Sequence, residues 1–384
     1  MTSEPATLFQ TFAFNNGLTL RNRVVMAPMT TWSANPDGAI SDAELDYYRR
    51  RAQSVGMVIT GCTHVAEDGI GFTDEFAAYD DRFIPSLLRL AEAAKSGGAS
   101  AVLQIFHAGN KAVVDAVPRG ELVSASAVNA LGGPFNRDDV TPRALSQSEI
   151  LKMVHAFGEA TRRAVEAGFD GVELHGAHGF LLQNFFSPRY NQRGDEWGGS
   201  QQKRMRFALA VVKEAKRVIA KYATRPFLLG YRISPEEREE GGYRVPDICP
   251  LVDGLIAEGI DYLHISLNDV LGARPLGTDT RLTVEQVIAH VGKRVPVLAA
   301  GMLRTPAQAQ TALDLGLSLA VVGKALVINP DWVGLAQAGC SEQISQELVL
   351  DKRAALSIPD GLWRAVEAAP GWIPVRKAEA VAGA

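Results

Sequence analysis

Val172-Glu173-Leu174-His175-Gly176-Ala177-His178-Gly179-Phe180 reads as an apolar strand running into a turn with two histidines three residues apart. Strand alternation sets Glu173 and His175 on one face and Val172 and Leu174 on the other. His178 falls just past the strand end, so both imidazoles can grip one polar atom. A lone histidine there is ordinarily a loop or cap residue; the surrounding sequence argues otherwise for this pair. Soon after, Ser187-Pro188-Arg189-Tyr190-Asn191 opens a loop rich in Asn, Arg, Asp and Gly that ends in Glu196-Trp197-Gly198-Gly199-Ser200.

The strand at 171–175 is one of eight short apolar runs, with 23–29, 57–63, 101–107, 227–234, 262–267, 295–301 and 319–325. Their Val, Ile and Leu content suits strands buried on both faces of a parallel sheet. Helical patterns lie between them. Ser41-Asp42-Ala43-Glu44 and Ser146-Gln147-Ser148-Glu149 are capping boxes, and Thr305-Pro306 is an N-cap followed by Pro at the first helical position. Eight β-then-α units predict an α/β fold of the (β/α)8 TIM-barrel type, with a doubly wound sheet as the alternative. Residues 12–14 and 18–20, joined by Asn15-Asn16-Gly17, predict an N-terminal β-hairpin that plugs the barrel bottom. Residues 109–146 form a βα insertion after strand three, on the catalytic face. One domain is expected over 1–376, with a loose Ala-rich tail at 377–384.

Composition excludes several classes. The 384 residues carry 21% charged and 47% hydrophobic side chains and a formal charge of −4, which attracts neither nucleic acid nor an anionic membrane. No apolar run approaches the ~18 residues of a membrane span. Met1-Thr2-Ser3-Glu4-Pro5 has neither the basic flank nor the apolar core of a signal peptide, so a cytoplasmic location is expected. Cys62, Cys249 and Cys340 are too far apart for a Cys-x-x-Cys cluster and suit reduced thiols. Gly69-Ile70-Gly71 lacks the third glycine of a dinucleotide fingerprint.

In such a barrel the site lies at the C-terminal strand ends. Those ends carry Pro28-Met29-Thr30, Gln104 and His107, His175 and His178, Arg232, Gly301-Met302 and Gly323-Lys324. The last two pairs follow strands seven and eight, where backbone N–H groups commonly bind phosphate, and Lys324 adds a cation. No carboxylate cluster suits a divalent metal, and two histidines without a third ligand make poor zinc coordination. Thr30, Gln104 and Arg232 remain as hydrogen-bonding groups around a planar, electron-rich object.

These residues resemble the old yellow enzyme family, the FMN-dependent ene-reductases, over nearly the whole barrel. Arg23-Val24-Val25-Met26-Ala27-Pro28-Met29-Thr30 is similar to the family's first strand and Leu103-Gln104-Ile105-Phe106-His107-Ala108-Gly109 to its third. Residues 173–181 are similar to its fourth. Ser187-Pro188-x-x-Asn191-x-Arg193-x-Asp195-Glu196-Trp197-Gly198-Gly199-Ser200 with Arg204-x-Arg206-Phe207 is the most specific signature. The resemblance implies noncovalent FMN, with NADH or NADPH as reductant. On it, Pro28, Met29, Cys62 and Met302 line the flavin, Thr30 meets its C4 carbonyl and Gln104 its pyrimidine edge. Arg232 sits by N1 and the C2 carbonyl, where a fixed cation favours reduction. Gly301, Gly323 and Lys324 hold the phosphate. His175 and His178 bind the carbonyl oxygen of an α,β-unsaturated substrate, which then takes hydride at its β-carbon. Trp32, Tyr79 and Tyr190 are assigned to the substrate pocket.

Two positions depart from the family pattern. Phe180 replaces the tyrosine that protonates the substrate's α-carbon, which leaves water, Tyr190 or Tyr243 as the proton source. Lys324 stands where many relatives carry arginine, a point charge instead of a fork. Phe180 therefore keeps other readings open: an FMN-dependent reductase of quinones or nitro compounds, isomerase or dehydrogenase chemistry, or a flavin-binding protein without turnover. A flavin-free enzyme of a phosphorylated sugar leaves Thr30, Gln104 and Arg232 without a shared purpose. The expected partner is a small electrophile. Trp363 and Trp372 offer packing surface to a second copy of the chain, and Arg204 and Arg206 are expected to pair with Asp195.

Overall fold

Backbone hydrogen bonds close eight parallel strands into a ring. They are β1 (Val24–Met26), β2 (Met57–Ile59), β3 (Ser100–Phe106), β4 (Gly171–Gly176), β5 (Leu228–Ile233), β6 (Tyr262–Ser266), β7 (Val297–Ala300) and β8 (Leu319–Val322). Each pairs with the next, and β8 returns to β1 with Val321 opposite Val25, so the described barrel has no open edge. The computed structural model describes residues 7–132, 139–277 and 279–376. The N-terminal pentapeptide and the tail at 377–384 lie outside the described residues.

Helices follow the strands: α1 (Asp42–Arg51), α2 (Ile84–Lys95), α3 (Gln147–Glu166), short α4 (Leu181–Phe186), α5 (Gln201–Tyr222), α6 (Val245–Ala257), α7 (Thr283–Val291), α8 (Pro306–Asp314) and short α9 (Lys324–Ile328). All three helix starts read from sequence are present. The Ser41, Ser146 and Thr305 side chains each accept from the backbone N–H three residues on, a cap worth about 1 kcal/mol each. Val211, Val212 and Ala215 of α5, and Ile150, Phe157 and Ala164 of α3, are buried against the barrel.

Alternation divides each strand between two cores. Leu103, Val172, Leu229, Leu263 and Ala299 pack outward against helices. Val102, Leu228, Tyr262 and Leu298 fill the barrel with Phe14 and Leu20 of the hairpin. That hairpin pairs Phe12–Ala13 with Thr19–Leu20, and Asn16 Nδ2 reaches Phe227 O at the start of β5. It plugs the N-terminal end, as expected. Above the other end, 109–132 and 139–146 form 3-10 turns and two short parallel strands, Val123–Ser124 and Arg143–Ala144. Leu122, Val117 and Ala112 of this insertion pack on Phe106 and Phe180.

Phe14 is buried and lies 6.1 Å from the Tyr262 ring. Phe14→Ala is expected to cost about 3–5 kcal/mol, read as a lower unfolding midpoint in denaturant. An unchanged midpoint would show that the hairpin does not seal the barrel.

Candidate active site

A cavity of about 400 Å³ opens at the C-terminal strand ends, within the range of small-molecule sites. Fourteen of the residues expected there line it. Pro28, Met29 and Thr30 come from the end of β1, Cys62 follows β2, and Gln104 lies on β3. His175, His178 and Phe180 come from β4 and its turn, and Arg232 from β5. Gly301, Met302 and Gly323 follow β7 and β8, with Lys324 and Trp32 completing the expected set. Arg232 pairs in register with His175 on one side and His264 on the other, and Gln104 with Glu173. The side chains converge because inward positions of adjacent strands stack in layers.

Two tyrosines belong elsewhere. Tyr79 lines a separate cavity beside His64, whose ring centroid lies 5.5 Å away. Tyr190 is buried in the 187–200 loop and does not line the central cavity. His107 is held by Asp68 at 3.1 Å and likewise lies off the cavity lining. Arg193, not Arg204 or Arg206, pairs with Asp195, at 2.6 Å. Arg204 donates to the Phe186 carbonyl and Arg206 to that of Glu196. Trp372 turns inward to its own chain: it lines the cavity 5.9 Å from Trp32, with Lys324 Nζ 5.9 Å from its ring. Phe72, Ser266 and Arg304 also line the cavity and were not read from the sequence. Arg304 had a signal, lying two residues beyond Gly301-Met302; Trp372 and Phe72 had none.

The His178 turn is strained and held. His178 has φ of 62°, in the left-handed region that few side chains other than Asn, Asp and His adopt. Its N–H donates to Ser234 Oγ at 3.0 Å and its carbonyl accepts from Lys111 Nζ at 2.8 Å. The next residue is fixed in the same way, Gly179 N–H to Gln183 Oε1 at 2.9 Å and Asn184 Nδ2 to Gly179 O at 2.8 Å. The imidazole sits 4.9 Å from that of His175, and Phe180 packs edge-on to His175, also at 4.9 Å.

A backbone hydrogen bond sets the His175 tautomer, and a serine hydroxyl faces His178. His175 Nδ1 accepts from Ala177 N–H at 3.3 Å, which leaves the proton on Nε2. Arg232 Nη2 donates to Ser266 Oγ at 3.0 Å, and that hydroxyl meets His178 Nε2 at 2.7 Å. The hydroxyl has one proton and two lone pairs, so it pairs with Nε2 in either tautomer of His178; where the serine donates, His178 carries its proton on Nδ1. His175 thus keeps its Nε2–H for a ligand, and His178 keeps an Nδ1–H where Ser266 donates. Burial, followed by the neighbouring His178, drives the His175 pKa well below its ordinary value; burial and then Arg232 do the same to His178. Both rings are neutral donors at pH 7.

The residues fit FMN. Arg232 is buried and its Nε has no partner among the described residues, a stranded donor that a ring carbonyl or nitrogen acceptor would satisfy. A Cβ on Gly301 would come within 2.6 Å of the Leu267 carbonyl, so only glycine fits at this point of the cavity wall. Lys324 and Arg304 set two cations at the same end, as a phosphate requires.

Fold and site together define a flavin-binding barrel, and sequence comparison gives its family. A sequence model of the NADH:flavin oxidoreductase / NADH oxidase family matches residues 7–343. The chain is 42% identical over 370 residues to the probable NADH-dependent flavin oxidoreductase YqiG of Bacillus subtilis, covering 96% of this chain and 98% of that one. It is 40% identical to the NADH:fumarate oxidoreductase of Klebsiella pneumoniae over 93% of this chain but 38% of that longer protein. The old yellow enzyme homologue of Zymomonas mobilis superposes with a TM-score of 0.75 at 27% identity, over 87% of this chain and 93% of that one. The chain belongs to this family, the old yellow enzymes, as an FMN-dependent oxidoreductase that takes electrons from NAD(P)H. Among the described residues no helix is long and apolar enough to cross a membrane.

Selective labelling of the histidines tests the charge state at the site. Because both pKa values are depressed, the His175 and His178 ring signals are expected to stay constant as pH falls from 8 to the ordinary histidine value of about 6.5. A titration centred there would overturn the assignment of neutral donors.

Proposed function

We propose that this enzyme reduces α,β-unsaturated carbonyl compounds whose oxygen is held by His175 and His178. The observation that carries the reading is the pair of neutral imidazoles, 4.9 Å apart, with the His175 Nε2–H unused by the protein. Gln104, Arg232, Thr30 and the Gly301, Gly323 and Lys324 corner would hold FMN, which would supply to the substrate's β-carbon the hydride that NAD(P)H provides. Two N–H donors on one carbonyl oxygen draw electron density from that β-carbon and stabilise the enolate oxygen that follows. A single well-placed donor of this kind is typically worth ~10²–10³ in rate. Arg232 holds positive charge beneath the site, and its link through Ser266 keeps the His178 ring in place. Trp32, Phe72, Phe180 and Trp372 exclude water around the substrate and favour an apolar, uncharged one.

The proton for the α-carbon comes from water in this reading. Phe180 has no proton to give, and among the described residues no tyrosine lines the cavity. The Tyr243 hydroxyl is committed to the Ser234 carbonyl at 2.9 Å. The same observation favours a second reading, reduction of quinones or nitro compounds, whose oxygen atoms collect protons from solvent.

Anaerobic spectroscopy separates the two. The purified protein is expected to be yellow, to bleach with NADH or NADPH, and to recover its colour with cyclohexenone. Recovery with a quinone but not with the enone would replace the first reading by the second. Phe180→Tyr is expected to raise enone turnover by about 10²-fold, the usual worth of a placed general acid. His175→Ala is expected to weaken a phenol that gives a charge-transfer band by about tenfold, one lost hydrogen bond. Unchanged phenol affinity would remove His175 from the carbonyl site.

A further inference from the structure

Below the cavity, Gln104 lies between the site and a carboxylate that the chemistry above does not use. Glu173 stands opposite Gln104 across β3 and β4 and is fully buried. Its Oε1 accepts from Gln104 Nε2 at 2.7 Å. Its Oε2 accepts from the Tyr262 hydroxyl at 3.0 Å and from His264 Nδ1 at 2.9 Å. An ionised carboxylate has no hydrogen to give, so only the amide nitrogen of Gln104 can face it. The amide flip, ambiguous for an isolated glutamine, is thereby decided. Gln104 Oε1 is left on the other side, where it accepts from Cys62 Sγ at 3.4 Å beside the cavity. His264 agrees with this scheme. Its Nδ1–H goes to Glu173, and its buried, unpartnered Nε2 is then a bare lone pair instead of a stranded N–H.

We propose that Glu173 is a positioning residue for cofactor recognition: it holds the Gln104 amide with its oxygen toward the cavity, so that the site accepts a hydrogen bond from the ring N–H of the flavin pyrimidine. This rests on the placement of Gln104 at that edge. Burial alone would raise the Glu173 carboxyl, but His264, Arg232 and Gln104 hold it below its ordinary value and keep it an acceptor. Glu173→Gln reverses the logic. Tyr262 and His264 would still donate to one terminal atom of residue 173, which must then be its oxygen. Its amide nitrogen would face Gln104, and two N–H groups cannot bond, so Gln104 would turn over and show N–H to the flavin N–H.

The test is exchange of the holoenzyme's FMN against an equimolar mixture of FMN and N3-methyl-FMN, with the bound ratio read by mass spectrometry. The native enzyme is expected to prefer FMN by about tenfold, one hydrogen bond's worth, and Glu173→Gln to bring the ratio close to one. A native enzyme that takes both flavins equally would remove Gln104 from the pyrimidine edge, and the proposal with it. A native preference that Glu173→Gln retains would leave Gln104 in place and overturn the role of Glu173. If the single variant holds no flavin, the exchanged pair Gln104→Glu with Glu173→Gln decides. It keeps the charge and the hydrogen bond and returns an oxygen to the cavity, so it is expected to bind flavin and prefer FMN. An exchanged pair as empty as the single variant would overturn the proposal.

Discussion

Glu173 and Arg232 place opposite charges inside a barrel from which water is excluded, and much of the architecture answers that constraint. A buried carboxylate is tolerated only when its lone pairs are matched. Glu173 collects donors from β3 and β6 while sitting on β4, so Gln104, Tyr262 and His264 tie three strands to one group. Gly230 on β5 lies between Glu173 and Tyr262 in register. A Cβ there would collide with the Tyr262 ring, so the glycine opens the path by which the phenol reaches the carboxylate. The polar layer below the site is thus a fixed platform. Arg232 is its one member that also faces the cavity with a donor to spare.

The turn that carries His178 shows the opposite use of buried polarity. Strain at His178 is balanced by donors and acceptors from different elements: Lys111 from the insertion, Ser234 from beyond β5, and Gln183 and Asn184 from α4. Gln183 is itself held by the buried Glu237 at 2.9 Å, which also accepts from Ser187 at 2.7 Å. The insertion is therefore more than a wall. It supplies the cation that fixes the His178 carbonyl and the apolar surface on which Phe180 rests. Burial keeps both imidazoles uncharged, and neutral N–H donors suit a carbonyl whose charge develops only as hydride arrives.

What the sequence disclosed follows the range of the interactions involved. The eight strands, the three capped helix starts and the bottom hairpin rest on contacts within a few residues, and their patterns are written locally. The histidine pair and the Gln104 and Arg232 positions were legible because strand periodicity points alternate residues inward. Long-range contacts were not. Ser266 reaches His178 across 88 positions, and Trp372 comes to Trp32 from the far end of the chain. Nothing in either local sequence marks such meetings. The 187–200 motif marked the family correctly, yet it lies outside the site. Its most recognisable residues, Asn191, Arg193 and Asp195, do not line the cavity but bind the carbonyls of Phe185, Ala125, Leu145 and Trp197 or one another. The motif is recognisable because its geometry is demanding, and its role is to brace the insertion against α4.

Phe180 gains a physical meaning from this arrangement. A tyrosine lost from an active site usually leaves a hole or a stranded partner. Here the ring is buried, packed edge-on to His175, Phe106 and Phe72 at centroid distances of 4.9, 4.9 and 6.2 Å. Edge-to-face aromatic pairs of this kind contribute ~0.5–1.5 kcal/mol each beyond area burial, so the position is a built apolar contact. In the reaction proposed above, Phe180 leaves the α-proton to water, so the residues around it would polarise the substrate oxygen without controlling where and when that proton arrives. That combination favours substrates whose reduced forms take protons readily from water. It also makes the choice of acceptor depend on shape and apolar contact with Trp32, Phe72 and Trp372 more than on acid strength.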